Sequence, residues 1–169
     1  RAIFLVASLF YFPGNRRKMS EIIIESAKTN NNLGAIVKLL DNENLTQAVG
    51  LLLPLQREKR VQAIKMFVRQ NHVMVVKLNE DVVGMIVLSA WYGDEGKRIA
   101  HHYELGYLLQ QNQWNKGIMT TALQKFISIL PSKITIHAEC KQSNYHSQRV
   151  LVKCGFTYDK DDLWQCIIK

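Results

Sequence analysis

Residues 111–117 read Gln-Asn-Gln-Trp-Asn-Lys-Gly. The stretch is too polar for a core and lies between a β-rich run and an apolar helical pattern. A strand-to-helix junction presents unpaired backbone N–H groups at the positive end of a helix. Its chemistry is therefore anion binding. Gly117 permits close approach because it has no Cβ, and Lys116 adds positive charge. The spacing is neither that of a P-loop, GxxxxGK[ST], nor that of a dinucleotide fingerprint, GxGxxG. Trp114 reads as an apolar plug over the helix start, with a place in the wall of a ligand site as the other reading. His137-x-x-Cys140 is half of a metal-ligand spacing, but no second pair follows it, so no metal is expected. Cys140, Cys154 and Cys166 show no C-x-x-C spacing. Cys140 and Cys154 read as small buried residues, and the odd count suits reduced thiols in a cytoplasm.

The elements that must hold this junction follow from period and punctuation. Ile22, Ile23 and Ile24 make a short strand. Asn30, Asn31 and Asn32 are suited to cap a helix over 33–40, because Asn side chains accept from free helix N–H groups. A second short helix is expected over 45–53, stopped by Pro54. Residues 56–70 place Val61, Ile64, Phe67 and Val68 on one face at helical spacing. The period then shortens. Residues 72–78 and 82–92 are β-rich around Asn79-Glu80-Asp81 and read as a hairpin. A third strand, 100–110, runs into the polar junction. Helix 117–130 ends at Pro131, strand 133–139 follows, and helix 143–154 ends at Gly155, suited to a left-handed cap. Residues 156–158 and 163–168 close the sheet. The expectation is an α/β (α+β) domain, a mixed sheet with helices on its faces.

A chain of 169 residues suits one ordinary domain. With 47% hydrophobic and 21% charged residues it is globular rather than disordered. The net charge is +8, and four of those charges (Arg1, Arg16, Arg17 and Lys18) lie in the first eighteen residues, which hold no acid. The remainder is only mildly basic, which argues against a nucleic-acid binder. The apolar run over 2–12 would rise about 16 Å as a helix, short of a hydrocarbon core about 30 Å thick. It also lacks a signal-peptide cleavage site, so no membrane partner is expected. Met19-Ser20-Glu21 looks like a natural start. Residues 1–18 are thus expected to be an upstream extension, and residues 19–169 the functional domain.

Glu104-Leu105-Gly106-Tyr107 leads to Trp114-Asn115-Lys116-Gly117-Ile118-Met119-Thr120-Thr121-Ala122-Leu123. Further on come Asn144, Ser147, Val150, Leu151, Lys153, Gly155 and Phe156 in order. This set resembles the GNAT superfamily of N-acyltransferases, most nearly the branch of ribosomal-protein N-terminal (alanine) acetyltransferases. The resemblance covers roughly residues 19–169 and is specific over about 100–157. It implies a largely antiparallel mixed sheet, acetyl-CoA as the acyl donor and a primary amine as acceptor. By the same resemblance, backbone amides of Gln113, Trp114, Asn115, Lys116, Gly117, Ile118, Met119 and Thr120 hold the pyrophosphate. Main-chain groups of Tyr107, Leu108 and Leu109 pair with the pantetheine arm, and Asn144 and Ser147 contact the cofactor. The chain departs from the common loop, Arg/Gln-x-x-Gly-x-Gly/Ala, at Trp114, Asn115 and Met119. Leu151 occupies the place where many members carry a Tyr that protonates the leaving thiolate. Ser147 is the substitute the branch suggests, ahead of Tyr145.

An ammonium cannot attack a thioester, so a base must take its proton. Glu104, on the strand entering the loop, is the first choice. His102 shares its face by two-residue alternation, His101 points the other way, and Glu139 is a further candidate. A strand N–H near Leu108 is expected to meet the developing oxyanion. The acceptor pocket is expected from residues 33–55 and the loop 91–98, where Asp94 and Glu95 would attract a cation. The expected protein is an acetyl-CoA-dependent N-acetyltransferase acting on a protein N-terminus or a small amine. It would be cytoplasmic, with a homodimer and a ribosome contact compatible with it. The competing readings are a non-catalytic acyl-CoA sensor and a ribosome-associated module using the basic tail.

Overall fold

Val, Ile, Met and Leu crowd residues 72–92, and their β-branched and long side chains suit a strand with both faces covered. The computed structural model describes residues 21–29, 32–42, 45–46 and 51–169. The expected tail over 1–18 lies outside them. The strands are β1 (Ile22–Ser26), β2 (His72–Leu78), β3 (Asp81–Tyr92), β4 (Arg98–Leu109), β5 (Ile134–Glu139), β6 (Thr157–Tyr158) and β7 (Leu163–Ile168). The helices are α1 (Asn32–Leu40), α2 (Arg57–Gln70), α3 (Ile118–Ser128) and α4 (Tyr145–Lys153). The strands form one sheet in the order β1-β2-β3-β4-β5-β7-β6. Each neighbouring pair is antiparallel except β4 with β5. The expected mixed, largely antiparallel sheet flanked by helices is what forms.

Each sheet face carries its own core. On one face Leu105 and Leu109 of β4 and Ile134, Ile136 and Ala138 of β5 pack against Met119, Leu123 and Phe126 of α3 and Leu151 of α4. On the other, Val73, Val75, Met85, Val87 and Leu108 pack against Ile36, Leu39 and Leu40 of α1 and Ile64 and Val68 of α2. This second core takes no residue from β5, β6 or β7. α1 and α2 thus cover only the β1–β4 half, because β5 presents Thr135, His137 and Glu139 on that face where a core would need hydrocarbon.

Two local expectations change. Asn32 does not cap α1: it is buried at the first helical position, and its Nδ2 donates to the Ser26 carbonyl at 3.1 Å and to Glu25 Oε2 at 3.3 Å. It ties the helix to β1 instead. Of the helix expected over 45–53, Leu45 and Thr46 are helical and residues 47–50 lie outside the described residues. Residues 51–54 are not helical, and Leu52 is 94% exposed. With no apolar surface over it, that leucine gains nothing from helix formation. The end of α4 follows expectation: Gly155 has φ 85°, its N–H donates to the Val152 carbonyl, and the Phe156 N–H donates to the Leu151 carbonyl.

Gly84 of β3 has a specific duty. A Cβ there would stand 2.5 Å from the Leu108 carbonyl oxygen of β4, so the glycine lets β3 lie close behind the strand that forms the site.

Candidate active site

The parallel pairing of β4 with β5 lasts three residues, with His102, Tyr103 and Glu104 opposite Thr135, Ile136 and His137. Beyond Glu104 the two strands part, while β4 remains paired to β3 as far as Leu109. The ladder fixes which groups face the opening. The Gln110 N–H donates to the Val83 carbonyl at 2.8 Å, so by alternation Leu108 and Gly106 also spend their backbone groups on β3. The N–H and C=O groups of Tyr107 and Leu109 therefore point into the opening, while the Leu105 N–H closes the last pairing, to His137. The Leu109 carbonyl accepts from the Trp114 indole N–H at 2.8 Å. This corrects the expected oxyanion donor: the Leu108 N–H belongs to the ladder with Met85, and the N–H groups on the open side are those of Tyr107 and Leu109.

A cleft of about 450 Å³ occupies the opening. Tyr107, Leu108 and Leu109 line it from β4, Gln113, Trp114, Asn115 and Gly117 from the turn, Ile118, Met119 and Thr120 from α3, and Asn144 and Ser147 from α4. Residues 111–113 form one 3₁₀ turn where sequence suggested a plain loop. Asn115 and Gly117 both take left-handed φ, 61° and 74°, the conformation that Asn and Gly tolerate best. Gly117 is the N-cap of α3 with no side-chain cap, and the first helical bond runs from the Thr121 N–H to its carbonyl. The amides of Ile118, Met119 and Thr120 thus lack intrahelical acceptors. A Cβ on Gly117 would meet nothing within 4 Å, so open space lies over those amides.

Several side chains differ from expectation. Lys116 does not line the cleft; it is exposed, with Nζ 3.2 Å from Gln113 Oε1. Trp114 is no buried plug. It is 39% exposed, lines the cleft and stands 6.1 Å from the His146 ring. Its indole N–H needs an acceptor, and the Leu109 carbonyl supplies one at the cleft wall rather than in the core. Asn144 is the N-cap of α4, its Oδ1 accepting from the Ser147 N–H at 3.1 Å. The Ser147 hydroxyl lies 2.6 Å from that of Tyr107. His146, Arg149, Val150 and Lys153 also line the cleft and were missed; Leu45 reaches it from the 33–55 segment expected at the acceptor pocket. Arg149 and Lys153 stand four apart, one turn of α4, which was a readable sign of a shared basic face.

Glu104 does not line this cleft either. It ends the β4–β5 pairing and lies on the opposite face, with His102, Gly106 and Leu108. Burial, and then the nearby charge of Glu139, push its carboxyl above the ordinary range. His102 Nδ1 and His137 Nε2 are 2.9 Å apart. Trp91 stacks on His137 with ring centroids 4.4 Å apart. Burial, and then His102, push His137 below its ordinary value, against the opposing pull of Asp159. His101 is exposed, at φ 63°. In the 91–98 loop Glu95 is paired to Lys97 at 2.8 Å. Cys140, Cys154 and Cys166 are buried free thiols, and burial raises all three. Among the described residues no group of three or more His, Cys, Asp or Glu is placed to hold a metal. No described helix is long and apolar enough to cross a membrane.

A mixed sheet whose central parallel pair splays over a helix N-terminus defines an acyltransferase-like fold. The sequence model of the family described as Acetyltransferase (GNAT) domain matches residues 21–157. This chain belongs to that family. It is 31% identical over 85 residues to an uncharacterized N-acetyltransferase, YnaD, of Bacillus subtilis (strain 168). That match covers 48% of this chain and 46% of YnaD, so the chain spans less than half of that relative. Among solved structures, aminoglycoside acetyltransferase AAC(6')-Ib with coenzyme A and kanamycin aligns at TM-score 0.68 and 13% identity, over 87% of this chain and 95% of that one. YncA of Salmonella typhimurium, with its cofactor acetyl-CoA, aligns at TM-score 0.64 and 16% identity, over 88% and 94%. At those identities the likeness is one of fold.

Proposed function

We propose that this protein transfers an acetyl group from acetyl-CoA to a primary amine. The observation that carries the reading is the continuity of the splay with the capless start of α3. One cleft joins a free strand edge, a row of unpaired amides and two cations. These features fit an elongated thioester with phosphates at one end. The edge of β4 suits the amide-bearing arm, as an added strand would. The amides around Gly117 suit the pyrophosphate, and Arg149 and Lys153 suit the remaining phosphate charge. When bound, the donor supplies an activated acyl carbon.

The chain's own residues supply the rest. Glu104, at the vertex of the splay, accepts a proton from the amine. Its raised carboxyl brings its basicity nearer to neutral pH, where a base works best. Gly106, on the same face, leaves open space beside it for the acceptor. The Tyr107 and Leu109 N–H groups donate to the acyl oxygen as it gains charge. Ser147, across the cleft on α4, donates a hydrogen bond to the departing sulfur, which leaves as a thiolate and is protonated from solvent.

The acceptor is either a protein N-terminus or a small amine. The motif over 100–157 resembles the ribosomal-protein alanine acetyltransferase branch, so a peptide beginning with Ala is the first acceptor to try. The test is titration calorimetry with acetyl-CoA, followed by a thiol-release assay with N-terminal peptides and small amines. Saturable one-site binding and amine-dependent release of coenzyme A support the reading. Absence of binding, or binding with no release for either acceptor class, overturns it.

A further inference from the structure

Ser147 is asked to present a hydrogen to sulfur, yet a serine hydroxyl rotates freely and donates wherever an acceptor is nearest. The structure places another hydroxyl against it. Tyr107 Oη lies 2.6 Å from Ser147 Oγ and 3.2 Å from the Ser147 carbonyl oxygen. Both oxygens within its reach thus belong to one residue, on the helix across the cleft. Tyr107 and Ser147 each line that cleft.

The two residues share two protons, and only two arrangements satisfy the short contact. In one, Ser147 donates to the phenolic oxygen and Tyr107 to the carbonyl, which turns the serine hydrogen away from the cleft. In the other, Tyr107 donates to Ser147 Oγ, and the serine hydrogen is left to the Cys140 thiol, a weak neutral acceptor that Ser147 also hydrogen-bonds, or to a stronger acceptor in the cleft. The phenol is the stronger acid and the aliphatic oxygen the stronger base, which favours the second arrangement. The 2.6 Å separation is also that of a strong O–H···O bond, whereas 3.2 Å is long for one. Burial holds the Tyr107 proton well above its ordinary range, so the phenol keeps a hydrogen to donate at any working pH. The other titratable groups facing the pair are Cys140 after β5 and Cys154 at the end of α4, both raised thiols that carry no charge near neutrality. Asp162 acts on Cys140, and His146 and Arg149 stand along α4 at the cleft.

We infer that Tyr107 is a positioning residue: it donates to Ser147 Oγ and thereby leaves the Ser147 hydrogen to point into the cleft, at the leaving sulfur. The inference rests on the acetyl-transfer reading for its use, though not for its geometry. It also explains how Leu151 is accommodated where a tyrosine acid is common. A phenol is present in the same opening, supplied from β4, and it works through Ser147.

Two measurements test it. The first needs neither donor nor acceptor. In the Ser147→Cys protein the new thiol takes the place of Oγ, and its thiolate absorbance is followed with pH under reductant. Burial raises the native thiols, and both proteins compared carry the same three, so the difference between their titrations reports the new one. With Tyr107 present it should titrate about one pH unit lower than in the Ser147→Cys/Tyr107→Phe protein, the size of a hydrogen bond to a charged group. Equal titration in the two proteins overturns the inference whether or not the chain is an acetyltransferase. The second is a double-mutant cycle. Tyr107→Phe and Ser147→Ala should each lower kcat about tenfold, with acetyl-CoA affinity within threefold of the parent as a check on folding. The double variant should be no slower than the slower single variant. Multiplying losses, or a Tyr107→Phe protein as fast as the parent, would show that Tyr107 does not act through Ser147. A parent with no transfer activity would instead count against the acetyl-transfer reading, and the thiol titration would stand alone.

Discussion

The two sides of β4 are built on opposite plans. Toward α3 and α4 the site is made of main chain, with strand-edge groups of Tyr107 and Leu109, helix-start amides after Gly117, and the cations Arg149 and Lys153. Toward the opposite face it is made of side chains: Glu104 near Glu139, His102 against His137, and Trp91 stacked on His137. One side is positive, and its backbone amides stay in place whatever the side chains at Trp114 or Met119. The other is acidic and depends on single carboxyl and imidazole groups. On the proposed mechanism, donor recognition is generic to the backbone shape, while proton removal is vested in particular side chains.

The sharpest way to break this division is Glu104→Gln. Kcat should fall about 100-fold, the lower range for a lost general base, while calorimetric affinity for acetyl-CoA stays within twofold. Coupled loss of affinity would mean that the two sides are not separate. The mirror experiment is Gly117→Val. Forcing a β-branched residue to φ 74° and placing carbon over the amides should weaken acetyl-CoA binding about tenfold or more, with kcat at saturation little changed. Gly84→Ala should spare neither side. Its Cβ would push the Leu108 carbonyl, and a loss of about 1–3 kcal/mol in urea unfolding is expected. The smallest effect is on pH. With Glu104 as the proposed base, activity requires it ionised and should be lost as pH falls through its raised carboxyl value. Glu139→Gln removes the negative charge that helps to raise it, so the acid limb of kcat should move to lower pH. A limb that stays in place would assign the proton to another group.

Much of this was readable beforehand where one rule acted locally. Helical spacing over 56–70 put Ile64 and Val68 in the core, and Gly155 ended α4 in a left-handed cap. The polar junction 111–117 read as a strand-to-helix turn because it sits between two elements of different period, and it forms one with a capless helix start at Gly117. Reading failed where a side chain had a choice of partner. Asn32 had the composition of a cap and became a tie to β1. Trp114 had the bulk of a plug, yet its N–H found an acceptor at the cleft wall. Lys116 had the charge for the cradle and turned outward to Gln113.

By itself, the sequence determined the family and, the 45–53 helix apart, the order and type of elements, because each depends on period, punctuation and residues near one another in the chain. Tertiary structure alone decided that β4 and β5 pair for three residues and then part, which backbone groups face the gap, and that Tyr107 meets Ser147 across 40 positions. Those facts arise from the register between strands and from the packing of α4 on the sheet. Contacts between distant segments are set by the sum of all the burial on both faces, which local pattern does not carry.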